Sequence, residues 1–270
     1  MRVSLLIIDP QNDFVAKSGK LSVPGADADM DRLATMIRRL QPKLDDIVVT
    51  LDSHRKVDIS HPLWFVDSAG RSPSPFTMIS AADLEKGVWN TRLPSYRART
   101  LAYLKALEKS ARYPHIIWPE HCLIGSEGHG VWPNLMDAIH GWEGQFALAE
   151  MVTKGSNIWT EHFSAVKAEV PDPNDPSTQV NTSLISTLEE ADVILLAGEA
   201  LSHCVRSTVE DIATYFSDPK YVSKMVLLED ATSNVPNPPG TTLFSDGANS
   251  FIQNMKSRGM RVDTTTNILR

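Results

Sequence analysis

Cys204 stands where a catalytic thiolate would be put: the run DVILLAGEALSHCVRSTVEDIATYF carries an apolar strand into a tight turn whose last residue opens a helix. First-turn N–H groups carry partial positive charge, which favours an anion and lowers a thiol from its free pKa of about 8.5. Asp9, ending the apolar run of LLIIDPQNDF, has the chemistry of a general base toward such a thiol, and equally that of a turn cap. Lys154, in EMVTKGSN, would favour the thiolate and stabilise charge developing in amide attack if it lay between the two; alone, a lysine there snorkels to solvent. Asp52 and His54, in TLDSH, are two residues apart, so an extended backbone projects both from one face, in a metal site or a surface turn. His121, in IIWPEHC, supplies a third ligand, with His61 an alternative ligand or a partner behind it. One carboxylate and two imidazoles with open positions suit zinc, iron or manganese. Cys122 is a competing thiol, but no helix start follows it and it reads as structural. Phe14 is core or the wall of a pocket for a flat substrate. His115, His129, His140 and His162 have no ligand-like spacing and read as solvated or satisfied polar residues.

The elements that must position these residues are legible as alternation. Buried-strand runs recur at Val3–Asp9, Ile47–Asp52, His115–Trp118, Val193–Gly198, Met225–Asp230 and Met260–Thr264. Helical spacing of apolar residues fills Asp27–Leu40, Ser95–Ala111, Thr182–Ala191, Val205–Phe216 and Leu243–Arg258. Strands alternating with helices predict a three-layer α/β/α fold, a mostly parallel six-stranded sheet with helices on both faces and functional residues at the carboxyl ends of strands. Residues 1–270 read as one domain, with an insertion at about 62–114 that opens on DSAGRSPSPF and has the character of a lid or an oligomerisation arm. A second polar loop, PDPNDPS, spans Pro171 to Ser177.

Composition narrows the function further. The chain has 270 residues, 42% of them hydrophobic, enough for a sizeable core, and a formal net charge of −7 that argues against nucleic acid or polyanionic partners. Two cysteines make no disulfide framework, and a strand beginning at Val3 leaves no room for a signal peptide, so a cytoplasmic location is expected. No apolar run approaches the ~20 residues that cross a bilayer.

The segments DPQNDF, TLDSH, WPEHC, TKGSN and GEALSHCV resemble, in order and approximate spacing, the nicotinamidase and isochorismatase-like cysteine hydrolase superfamily. The resemblance implies a triad of Cys204 as nucleophile, Asp9 as base and acid, and Lys154 as charge stabiliser. It also implies a divalent metal, zinc first among the choices, held by Asp52, His54 and His121. Phe14 and Trp118 would be the aromatic walls, with His203 lining the same pocket. A cis peptide between Glu199 and Ala200 would turn the N–H groups of Ala200 and Cys204 into an oxyanion hole. The implied substrate is nicotinamide or a similar small planar amide, cleaved to acid and ammonia through a thioester. Ser53, Glu199 and Ser202 depart from the common nicotinamidase pattern, which leaves the amide open. A hydrolase of another amide or an ether is the competing enzyme reading, and a non-catalytic scaffold of the same fold the competing binding reading; the thiol nucleophile favours the amidase.

Overall fold

The runs VSLLII and VILLAG are buried along their whole length, as strands covered on both faces must be. In the computed structural model, which describes residues 1–110, 112–238 and 240–270, they are neighbours at the centre of the main sheet. In chain order the elements are β1 Val3–Ile8, α1 Asn12–Val15, α2 Ala26–Leu40, β2 Asp46–Asp52, β3 Phe65–Val66, α3 Ala81–Glu85, β4 Asn90–Thr91, α4 Arg97–Ser110, α5 Pro133–Glu143, β5 Glu150–Lys154, α6 Thr182–Glu189, β6 Val193–Gly198, α7 Arg206–Tyr215, β7 Met225–Leu228, α8 Leu243–Ser257 and β8 Arg261–Asp263. Six strands form one parallel sheet in the order β5-β2-β1-β6-β7-β8.

Alternate side chains of these strands feed two cores. Leu5, Ile7, Val49 and Leu195 pack with α2 and α5 through Met30, Leu33, Ile37, Leu135, Ile139 and Trp142. Leu6, Ile8, Val48 and Leu196 pack on the other face with α6, α7 and α8 through Leu188, Val209, Ile212, Phe251 and Met255. This is the three-layer α/β/α arrangement expected from the alternation.

One expected strand is replaced by another. His115–Trp118 does not join the sheet; Ile116 makes an isolated antiparallel bridge with Met78, and Ile117 N–H donates to the Thr77 carbonyl. The sixth strand is β5, whose Glu150, Met151 and Thr153 are exposed while only Val152 and Lys154 are buried. An edge strand of this kind lacks the continuous apolar run by which buried strands are recognised. Helix α5, also without an assignment from periodicity, starts at Pro133, where a missing N–H costs nothing.

Residues 62–114 carry the antiparallel pair β3–β4 and helices α3 and α4. Trp64, Phe65, Ile79, Leu84, Tyr103, Leu104 and Leu107 make a third apolar cluster with Ile59 and Ile117. Helix α4 occupies Arg97–Ser110 of the stretch expected to be helical; Ala111 lies outside the described residues.

Candidate active site

Four adjacent strands deliver the chemistry. Asp9 follows β1, Asp52 ends β2, Lys154 ends β5, and the turn after β6 carries Cys204. The register pairs Asp52 directly with Lys154. Asp9 takes a left-handed backbone, φ 45°, while its N–H donates to the Thr50 carbonyl at 3.1 Å and the Thr50 hydroxyl donates to its Oδ1 at 2.5 Å. Gln11 extends the sheet edge with its side chain: its Nε2 donates to the Asp52 carbonyl and its Oε1 accepts the Asp52 N–H, each at 2.7 Å.

Lys154 lies between the other two members of the proposed triad. Its Nζ is 2.8 Å from Asp9 Oδ2, 3.1 Å from Asp52 Oδ1 and 3.6 Å from Cys204 Sγ, and it donates to the His162 carbonyl at 3.0 Å. Burial disfavours the ammonium, but the Asp52 and Asp9 charges outweigh it and hold Lys154 well above its usual pKa, so it is a fixed cation and not a snorkelling one. Burial raises Asp9, with Lys154 opposing, which suits a carboxyl that must accept and return a proton.

Cys204 differs from expectation in two ways. It lies within a wide turn, Leu201–Val205, that precedes α7, and so does not open the α-helix. Its thiol is pushed up, not down: burial dominates, and the Lys154 charge pulls only part of the way back. The resting group is therefore a neutral thiol beside a base. Cys122 is pushed up by burial as well, and its N–H donates to Asp13 Oδ2 at 2.7 Å, consistent with a structural role.

Asp52, His54 and His121 present ligand atoms that all lie within 4.8 Å of one another. His54 Nε2 is 3.0 Å and His121 Nε2 3.4 Å from the same Asp52 oxygen, Oδ2. The remote nitrogens are tied back, His54 Nδ1 to Asp58 Oδ2 at 3.0 Å and His121 Nδ1 to the Pro119 carbonyl at 2.7 Å. Imidazoles oriented from behind by a carboxylate and a carbonyl fit a metal centre. His54 is held well above its usual pKa because, against burial, Asp52 and Asp58 stabilise its cation; a proton here occupies the place that a divalent ion suits. Over the opposition of burial, the His54 and Lys154 charges and the His121 and His54 hydrogen bonds hold Asp52 well below the usual range. His61 stands outside this group, its ring 5.0 Å from that of His54 and 5.5 Å from that of His121, and burial drives it down to about 3.

A narrow cavity joins the two clusters, lined by Phe14, Leu21, Asp52, Trp118, His121, Glu161, Phe163, Ala200, His203, Cys204 and Val235. Phe14, Trp118 and His203 are among the residues lining this cavity, and the Glu199–Ala200 peptide is cis. Glu161 and Phe163 had no signal in the sequence. Glu161 is 5% exposed, accepts from Trp118 Nε1 at 3.2 Å, and is raised by burial to about 8. His162, read as an ordinary polar residue, is buried, with its carbonyl on Lys154 and its Nδ1 accepting the Gly155 N–H at 3.2 Å.

A buried Asp/Lys/Cys cluster thus lies at the carboxyl edge of a doubly covered parallel sheet, an arrangement suited to thiol hydrolysis. No protein-family model matches the chain. The chain is 27% identical over 210 residues to the nicotinamidase of Escherichia coli strain K12, covering 77% of this chain and 75% of that one. The solved nicotinamidase/pyrazinamidase of Acinetobacter baumanii superposes with a TM-score of 0.64 at 21% identity, covering 99% of this chain and 98% of the other. The pyrazinamidase of Pyrococcus horikoshii, solved in complex with zinc, gives 0.56 at 19% identity over 98% and 99%. The chain is thus similar in sequence to a curated nicotinamidase and shares the fold of solved nicotinamidase and pyrazinamidase structures.

Proposed function

We propose that this chain is a hydrolase of linear amide C–N bonds that cleaves nicotinamide, or a similar small planar amide, to the carboxylic acid and ammonia. The observation that carries this reading is the contact of Lys154 with both Asp9 and Cys204 at the edge of an aromatic-walled cavity that also reaches Asp52 and His121.

In this reading Asp9 takes the Cys204 proton as sulfur attacks the amide carbonyl, and Lys154 offsets the negative charge that passes to the reacting atoms. The N–H groups of Ala200 and Cys204 receive the oxyanion. The C–N bond breaks, the Asp9 proton goes to the leaving nitrogen, and ammonia departs. Water then gives its proton to Asp9, attacks the thioester and releases the acid, the proton returning to sulfur. Asp52, His54 and His121 would hold a divalent ion, zinc first among the choices, which when bound would supply a fixed positive charge and Lewis acidity. Phe14, Trp118 and His203 hold that ring, and the whole chain acts as one catalytic domain.

The test is ammonia release from nicotinamide by the zinc-supplemented protein. Release is expected to vanish in Cys204→Ala and to be lost on chelation and restored by zinc. Release that persists in Cys204→Ala refutes the thiol mechanism; a wild type that alkylates at Cys204 yet releases nothing from nicotinamide moves the substrate to another amide.

A further inference from the structure

The segment 62–114, whose body packs on its own apolar cluster, reaches the nucleophile through its last residues. Tyr113, 5% exposed, stacks its ring on the imidazole of His203, with centroids 4.5 Å apart and planes 24° from parallel. Its hydroxyl donates to the Ser202 carbonyl and accepts from Arg206 Nη1 at 2.9 Å, and the Arg206 guanidinium lies 5.3 Å from its ring centroid. One side chain thereby touches residues 202, 203 and 206, on both sides of Cys204. The preceding residue reinforces the grip: Arg112 pairs with Glu210 at 2.7 Å and with Asp211, both on α7.

His203 is fixed from a second direction. Ser202 Oγ accepts the Val235 N–H at 3.2 Å and lies 2.9 Å from His203 Nδ1. The other ring nitrogen, Nε2, has no hydrogen-bond partner among the described residues. Because His203 lines the cavity, its stacking partner sets where that wall stands.

We propose that Tyr113 is a positioning residue for the reaction: through the Ser202 carbonyl it fixes the turn that carries Cys204, and through the stack on His203 it fixes the wall against which the substrate ring lies. The hydroxyl acts on the nucleophile and the ring acts on binding, so the two functions separate by mutation. This makes the end of the 62–114 segment part of the catalytic apparatus. The proposal rests on the reading of Cys204 as nucleophile.

The experiment uses the full zinc-loaded chain with Tyr113→Phe, Tyr113→Leu and, as a control for general destabilisation of the same segment, Leu104→Ala. Each is followed by steady-state amide hydrolysis, by the rate of Cys204 alkylation with iodoacetamide and by thermal unfolding. Tyr113→Phe keeps the stack and is expected to lower kcat about tenfold, the scale of one buried hydrogen bond, with KM within about twofold. Tyr113→Leu is expected to raise KM about fivefold or more in addition, and Leu104→Ala to lower Tm without either effect. Alkylation needs no substrate, so a rate altered about threefold or more in Tyr113→Phe supports positioning even if the amide is misidentified. Unchanged kcat and alkylation in Tyr113→Phe, or equal losses in Leu104→Ala, overturn it.

Discussion

Asp52 serves two clusters at once. Its Oδ1 faces the Lys154 ammonium, and its Oδ2 faces both imidazoles. Because Asp52 and Asp58 favour a proton on His54, a metal entering the site must compete with that proton, and zinc affinity is expected to weaken as pH falls. Equilibrium dialysis at pH 8 and pH 6 checks this; equal affinities refute it. Asp58→Asn, which removes the carboxylate behind His54 Nδ1, is expected to weaken zinc binding about 10–100-fold while Cys204 alkylation stays near wild type. The candidates Asp9, Asp52 and Lys154 were legible as polar residues ending short apolar runs and Cys204 as the thiol in the turn after another. Only the order and spacing of all five segments lifted them above a cap, a surface turn or a snorkelling lysine. Glu161 was not legible: NIWTEHF has no strand or helix period, and only its contact with Trp118 reveals it. The resting state of the thiol was also beyond reach, since burial outweighs Lys154 only once the cavity is closed around it.

The two central strands could be read directly, whereas β5 could not, because an edge strand alternates with solvent. Helix α5 was lost for a different reason: it is short and Trp-, His- and Gly-bearing, with its apolar face set by packing on α2. At the end of β6, Gly198 is required by both conformation and space. It has φ 115°, and a Cβ there would stand 2.0 Å from the Ile8 carbonyl oxygen. Gly198→Ala must push β6 off β1 immediately ahead of the turn that carries Cys204. It is expected to cost roughly 2 kcal/mol or more of stability and most of the activity, read from urea unfolding and ammonia release. A variant with wild-type stability and turnover would contradict that account of the approach.

Buried histidines make the molecule sensitive to acid. His115 is 3% exposed, donates from Nε2 to the Ile59 carbonyl, and is pushed down by burial to about 4. Between about 6.5 and 4 the unfolded chain binds a proton there that the folded chain does not, so stability falls as pH drops through that window, by up to about 3 kcal/mol. Glu161 and Glu169, raised by burial to about 8 and about 7, act in the opposite sense and lose stability as pH rises from about 4.5. The urea midpoint of wild type relative to His115→Gln isolates the imidazole, and a difference that does not change between pH 7 and pH 5 refutes the assignment. The strand order has a consequence of its own for how activity is acquired. Val3 pairs with Val193 and Asp52 with Lys154, so the centre is assembled only by contacts that close very long stretches of chain. Such closures are slow relative to local structure. No N-terminal portion released early in synthesis can hold the thiol against its base, and turnover during refolding should lag the return of helical signal until the last of the four strands is docked.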